Sequence, residues 1–521
     1  MDFAIKIGML LVFFSTMIGV GFYCRKHSTD VNGFVLGGRS VGPWLTAFAY
    51  GTSYFSAVVF VGYAGQFGWN FGVASTWAGI GNAIIGSLMA WAILGRRTRV
   101  MSQHLNSATM PQFFEGRFNS KKLKLAAAVI IFVFLIPYTA SLYNGLSRLF
   151  GMAFNIDYSV CVIAMAVLTA IYVIVGGYMA TAINDFIQGM IMLVGIIAVI
   201  VAVLKNNGGF NEAFQTLSQV TDPAVPQNAA FTSFFGPDPL GLLGVVLLTS
   251  MGTWGLPQMV QKFYAIKSEK SINKGMIIST VFALIVAGGC YFLGGFGRLI
   301  FPSTEAMKAA GGYDSIIPTM LSELSPVLIG IVVVLVLSAS MSTLSSLVMA
   351  SSSTLTLDFI KGTVAKNMTE KKQLLTLRIF IAVFIAISVV IAIVQYKAQL
   401  GFIAQLMGIS WGALAGSFLG PYLYGLYWKR TSKAAVWVCF IFSTVVMVAN
   451  MLAKSLFPAI LQSPINAGVF CMLAGLVIVP VVSLFTKAPD QAYIERVFSC
   501  YDKKVVVSAM HAIGDPVQEE D

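Results

Sequence analysis

The sequence predicts an all-α polytopic membrane protein, and three observations lead there. Hydrophobic residues make up 57% of the 521 residues and charged residues only 10%. Mean hydropathy is +0.82, a balance foreign to a water-soluble domain of this length. The apolar residues also gather into about thirteen runs of bilayer-spanning length, each near the ~20 residues that a helix needs to cross hydrocarbon.

The runs fall at 4–23, 41–68, 73–95, 124–149, 158–178, 184–204, 239–261, 275–297, 327–357, 377–396, 401–427, 434–454 and 466–486. The first lacks the basic n-region and small-residue cleavage site of a signal peptide, so it reads as a span. The second is interrupted by Gly51-Thr52-Ser53-Tyr54-Phe55-Ser56. The third holds no charged residue. The sixth opens on Asn184-Asp185-Phe186 and so carries a carboxylate at its start. The seventh contains Gly252-Thr253-Trp254-Gly255-Leu256-Pro257. It ends at 261, where Lys262 opens a basic inner segment, 262–274. The eighth holds neither acid nor lysine. The ninth carries Ser338-Ala339-Ser340-Met341-Ser342-Thr343-Leu344-Ser345-Ser346, and the last four close the series.

Orientation follows from the basic residues. With the N-terminus outside, the inner segments hold 26 of the 33 Lys and Arg, and the positive-inside rule then places the C-terminus in the cytoplasm. This bias accounts for the net charge of +12 without nucleic acid. A basic inner rim suits anionic membrane lipid. His27, His104 and His511 fall in inner segments, and the six cysteines show no metal-type spacing. No phosphate-cradling loop occurs, and residues 487–521 are too few for an appended enzymatic or signalling domain. An enzyme is not expected, nor an organic cofactor, nor an obligatory protein partner.

The ninth run is the most informative. Residues three and four apart share a helix face, so Ala339, Ser342, Thr343 and Ser346 line one side with Ser345 beside them. A hydroxyl without a partner is costly in hydrocarbon, and a face of neutral oxygens suits a hard monovalent cation such as Na+. Isolated hydroxyls in membrane helices commonly serve close packing instead. Asp185 has two readings as well: a functional intramembrane charge or an N-terminal helix residue favoured by the macrodipole. The interruptions of runs two and seven lie five crossings apart. An odd number of crossings inverts the second unit, which is the arrangement of secondary transporters whose broken helices bind ions and substrate.

The chain resembles the sodium/solute symporters, whose members include bacterial proline, pantothenate and sialic-acid carriers. The resemblance rests on Gly37-Gly38-Arg39-Ser40, on Gly176-Gly177-Tyr178-Met179-Ala180 with Asn184-Asp185-Phe186-Ile187-Gln188, and on the cluster from Met341 to Ser346. It implies a LeuT-like inverted five-plus-five helix repeat and alternating access driven by Na+. Residues 1–40 would then form an extra helix and inner loop, 41–205 the first repeat, 206–238 an outer loop, 239–430 the second repeat, 431–486 two extra helices and 487–521 a cytoplasmic tail. The family's common sodium site maps onto the carbonyls of Thr52, Phe55 and Ala339 and the hydroxyls of Ser342 and Thr343. A second sodium site like that of the sialic-acid carrier maps onto Asp185, Ser342, Ser345 and Ser346.

The family also includes the animal sodium–glucose carriers, whose polar sugar-site residues have no counterpart here, since Val59 stands at their glutamine position and runs three and eight lack the acid and the lysine. Gly255-Leu256-Pro257 and the basic stretch from Lys267 resemble the pantothenate carrier, while Pro137 to Ser141 and Trp254 resemble the proline carrier. The proline carrier's aspartate in the second run is replaced by Tyr54. No basic side chain is expected to enter the bundle. The candidate substrate wall is Ser53, Tyr54, Ser56, Tyr138, Ser141 and Trp254. The sequence thus reads as a plasma-membrane symporter with Na+ as coupling ion, taking up an amino acid such as proline or a monocarboxylate such as pantothenate. The alternatives, a passive channel or a membrane-embedded solute sensor, lack charged rings and a signalling domain respectively.

Overall fold

The computed structural model describes residues 2–53, 55–154, 157–223, 225, 227–301, 303–365, 367–398 and 403–502. Among these residues the secondary structure is helical, with two isolated β-bridges and no strand. The principal elements are α1 (Asp2–Cys24), α2 (Pro43–Thr52), the helical series α3 (Val58–His104), α4 (Lys121–Phe154), α5 (Tyr158–Asn206), α6 (Pro239–Met251), α7 (Pro257–Ala265), α8 (Lys270–Gly294), α9 (Pro326–Ser353), α10 (Glu370–Lys397), α11 (Ile403–Tyr427), α12 (Lys433–Leu452) and α13 (Pro464–Phe485). Shorter helices fill the connections.

Ten helices of the described residues are long and apolar enough to cross a membrane, and up to eleven with the bent pair formed by Pro239–Gly255 and Pro257–Ala265. This is fewer than the thirteen runs, and the difference has a local cause. The 47-residue α3 series takes in the end of the second run and all of the third, and the 49-residue α5 takes in the fifth and sixth. Helices of that length would extend about 70 Å, more than twice the hydrocarbon thickness. Each contains a left-handed glycine near the expected turn, Gly72 at φ 62° and Gly177 at φ 58°. A Cβ on Gly177 would sit 3.0 Å from the Phe34 carbonyl oxygen, so the chain turns there against the segment before α2.

Burial identifies the centre. Of the apolar windows, 89% of that in Ile403–Tyr427 and 72% of that in Pro326–Val364 are enclosed by protein, against 28% of that in Ala4–Cys24. Helix α9 packs on α5, α4, α1 and α10, and α11 on α13, α4 and α12. Outer helices present Leu11, Val12, Val194, Val201, Ile277, Val390 and Val477 outward, a belt suited to lipid rather than water.

The basic loops are anchored from within. Arg39, itself left-handed at φ 56°, donates to the carbonyls of Tyr264 (3.1 Å) and Ser107 (2.6 Å). Burial lowers its pKa to about 10, with the nearby Arg99 charge adding to the effect. The guanidinium therefore remains charged at neutral pH.

Candidate functional site

Helix α2 stops at Thr52, the chain turns through Ser53, and helix resumes at Ala57. The break frees main-chain carbonyls that an intact helix would use, and such groups need a partner where water is absent. Helix α9 supplies it. Thr343 Oγ1 lies 3.0 Å from the Thr52 carbonyl oxygen and 3.1 Å from that of Phe55. Ser342 Oγ lies 3.2 Å from the Thr52 oxygen. Both hydroxyls also reach the Ala339 carbonyl on their own helix, each at 3.1 Å. Five oxygens, those of Thr52, Phe55, Ala339, Ser342 and Thr343, are thereby gathered at one place, and all five residues are buried. Three carbonyls and two hydroxyls, uncharged and directed inward, form a donor set for a small hard cation.

Ser342 and Thr343 reach across to the carbonyls of the α2 break. Ser338, Ser352 and Ser353 bond instead to carbonyls of their own helix, three or four residues back. That is the usual way for hydroxyls to satisfy themselves in a membrane helix.

The second oxygen group contains a charge that the sequence reading placed elsewhere. Lys262 was expected in an inner loop, with no basic side chain in the bundle. Instead α7 continues to Ala265, and Lys262 is buried. Its ammonium donates to Ser346 Oγ at 3.0 Å and lies 3.7 Å from Asp185 Oδ2. It also stands 5.1 Å from the centre of the Tyr178 ring. Charge ended the expected run at 261, whereas Met259, Val260, Phe263, Tyr264, Ala265 and Ile266 around it are all buried. A lone lysine in an otherwise apolar helical segment was the signal that could have found it.

Apart from Lys262, neither Asp185 oxygen has a hydrogen-bond donor among the described residues. Two other buried carboxylates are better served. Asp358 accepts from Thr109 Oγ1 (2.6 Å) and Gln112 Nε2 (2.8 Å). Asp314, in a short turn outside the spans, accepts from the Ile403 N–H and lies 3.8 Å from Arg148. Burial raises the Asp314 carboxyl pKa, and Arg148 opposes that shift.

Of the expected substrate wall, Tyr54 lies outside the described residues. Ser53 joins the second oxygen group, its Oγ 2.8 Å from that of Ser346. Ser56 Oγ accepts from the Val58 N–H at 3.2 Å, at the restart of the broken helix. Ser141 bonds back to the Tyr138 carbonyl, and Trp254 donates to the Ile85 carbonyl at 2.9 Å. Trp411 joins the two sides. It meets the Tyr138 ring edge-on at 6.0 Å between centroids, and a Cβ on Gly252 would lie 3.3 Å from its ring. Gln258, second residue of α7, is fully buried with both side-chain polar atoms lacking partners among the described residues. Neither Trp411 nor Gln258 figured among the residues expected from sequence.

Known proteins share this architecture and sequence. A solved Na+-coupled sialic acid symporter, in a substrate-bound outward-open state, superposes with a TM-score of 0.73 over 94% of this chain and 98% of its own. At 17% identity that likeness concerns the fold. The sodium/proline symporters of Staphylococcus aureus strains JH9 and JH1 are each 29% identical over 435 residues, covering 82% of this chain and 82% of theirs. The pattern of the sodium:solute symporter family matches residues 34–442, which includes the broken α2, the hydroxyl face of α9, Asp185 and Lys262. The chain belongs to the sodium:solute symporter family.

Proposed function

We propose that the solute carried by this Na+-coupled secondary transporter is an amino acid such as proline or a monocarboxylate such as pantothenate, with Na+ held by Thr52, Phe55, Ala339, Ser342 and Thr343. The observation that carries the ion assignment is the convergence of those five oxygens across the α2 break. Bound there, Na+ joins the broken helix to α9. Its binding energy then favours whichever state of the carrier keeps the two together, and this is how an ion gradient biases alternating access.

The solute site lies beside the same break and that between α6 and α7. Ser56, Tyr138, Ser141 and Trp254 remain candidates for its wall, Tyr54 with them, and Trp411 and Gln258 are added. A buried amide with neither end satisfied calls for a polar ligand. Gln258 Nε2 can donate to a carboxylate while Oε1 accepts from an ammonium or hydroxyl. The Staphylococcus aureus relatives, named sodium/proline symporters, favour the amino acid. Asp185, Ser342, Ser345 and Ser346 form a second cation position. Residues 41–205 and 239–430 act as the two inverted repeats, with the N-terminus outside the cell and the C-terminus in the cytoplasm.

Purified protein in liposomes, screened for uptake of proline, other amino acids and pantothenate with and without an inward Na+ gradient, tests this reading. Gradient-dependent accumulation of one of these solutes is expected. Equal uptake in the absence of Na+ would overturn it.

A further inference from the structure

We propose that the ammonium group of Lys262 is the resident cation of the position framed by Asp185, Ser345 and Ser346, so that the carrier binds a single Na+ per cycle. The inference rests on the reading that Thr52, Phe55, Ala339, Ser342 and Thr343 hold Na+.

The hydrogen bonds around Ser346 have one consistent direction. Lys262 Nζ can only donate, so at 3.0 Å it takes a lone pair of Ser346 Oγ. Ser346 in turn donates to Ser53 Oγ at 2.8 Å, and Ser53 donates to the Ala49 carbonyl. The Ser346 oxygen that would face a metal ion is thus turned to the ammonium, and its proton is committed to α2. On its other sides the ammonium meets the Asp185 carboxylate at 3.7 Å and the face of Tyr178 at 5.1 Å. An anion, a hydroxyl oxygen and an aromatic face each stabilise a buried ammonium.

Charge count gives the same answer. Asp185 is the one carboxylate paired with this ammonium, and all the side chains concerned are buried. With Lys262 in place the position is neutral. Na+ entering beside it would set two cations against one carboxylate among buried side chains, where charges are screened far less than at the surface. Ser345 adds no charge to this balance; its hydroxyl donates to the Ser342 carbonyl at 2.9 Å.

A cation fixed to the chain differs from a dissolved ion in one respect: it never leaves. Lys262 rides on α7, the half-helix after the break at Leu256, and its ammonium links that segment to α9 and, through Ser346 and Ser53, to α2. The position therefore contributes a standing electrostatic tie between the two broken helices and no gradient-driven charge.

Equilibrium binding of radiolabelled Na+ to the purified full-length protein tests the proposal. Wild type should bind one Na+ per chain, and the double variant Ser342→Ala/Thr343→Ala should lose it. Lys262→Ala should bind two, the second being lost again on adding Asp185→Asn and displaced by methylammonium, a free analogue of the missing group. Lys262→Arg should stay at one. Lys262→Met and Lys262→Gln serve the same purpose should alanine fail to fold. Two Na+ in wild type, or one in every folded neutral variant, overturns the proposal. So does failure of all three neutral variants to fold with or without methylammonium, which would make the ammonium purely structural. If wild type binds no Na+ and the Ser342/Thr343 variant changes nothing, the first site's assignment falls. An Asp185-dependent Na+ gained on removing Lys262 would still uphold the second.

Discussion

Thr343 Oγ1 stands 3.0 Å from the carbonyl oxygen of Thr52, a residue 291 positions earlier in the chain. The contact joins the hydroxyl face of α9 to the first helix break, and it is the shortest of the cross-helix bonds that assemble the five-oxygen group.

Thr343→Ala removes one of two side-chain oxygens and leaves the freed carbonyls short of a partner. A lost buried partner costs about 1–3 kcal/mol. The Na+ concentration for half-maximal uptake should rise about tenfold or more on that basis, with protein abundance in the membrane changed little. Thr343→Ser should recover most of the affinity. Uptake assayed against Na+ concentration checks both, and unchanged Na+ dependence in the alanine variant would reduce the hydroxyl to packing.

Breaking the Asp185–Lys262 pair from one side should be worse than removing both charges. Asp185→Asn leaves a buried ammonium without its counter-charge, which costs on the order of 3–5 kcal/mol. The double variant Asp185→Asn/Lys262→Met should be more stable to heat in detergent than Asp185→Asn alone. Additive losses would show that the two side chains are not coupled.

Gln258→Leu keeps size and removes both unpartnered polar atoms. KM for the solute should increase at least severalfold, while Na+ binding measured without solute stays at the wild-type value. A protein with unaltered KM would take Gln258 out of the solute site.

Single cysteines at Lys308 and Lys371, both exposed, report orientation in a variant with the six native cysteines removed. An impermeant reagent applied to intact cells should label position 308 and not 371. The reverse result would invert the orientation inferred from the basic residues.

The meeting of the α9 hydroxyls with the α2 break was legible because two sequence signals mark it. Hydroxyls at 342, 343 and 346 mark a face of a helix, and glycine with adjacent polar residues marks the break opposite. Which carbonyls that break frees came from the family resemblance, and the structure places Thr52, Phe55 and Ala339 where that implied. Lys262 was misplaced because a hydropathy boundary follows charge, while the helix follows main-chain hydrogen bonding past it to Ala265. Trp411 was invisible for the opposite reason: within an apolar, glycine-rich run, a tryptophan carries no mark of the Tyr138 and Gly252 surfaces it joins. Turns inside α3 and α5 were expected from run length, but only the backbone reveals that Gly72 and Gly177 make them.

Ser342 and Thr343 each have a second acceptor, the Ala339 carbonyl one turn back on their own helix. In the proposed cycle, if the broken helix draws away from α9 as Na+ leaves, both protons can settle on that oxygen, so neither hydroxyl is left without an acceptor. Asparagine could also offer an oxygen to Na+, but its amide would need new donors and acceptors at every parting. Short hydroxyl side chains therefore make ion release a rotation about one bond, and let the same cage open and close repeatedly with little barrier from its own polar groups.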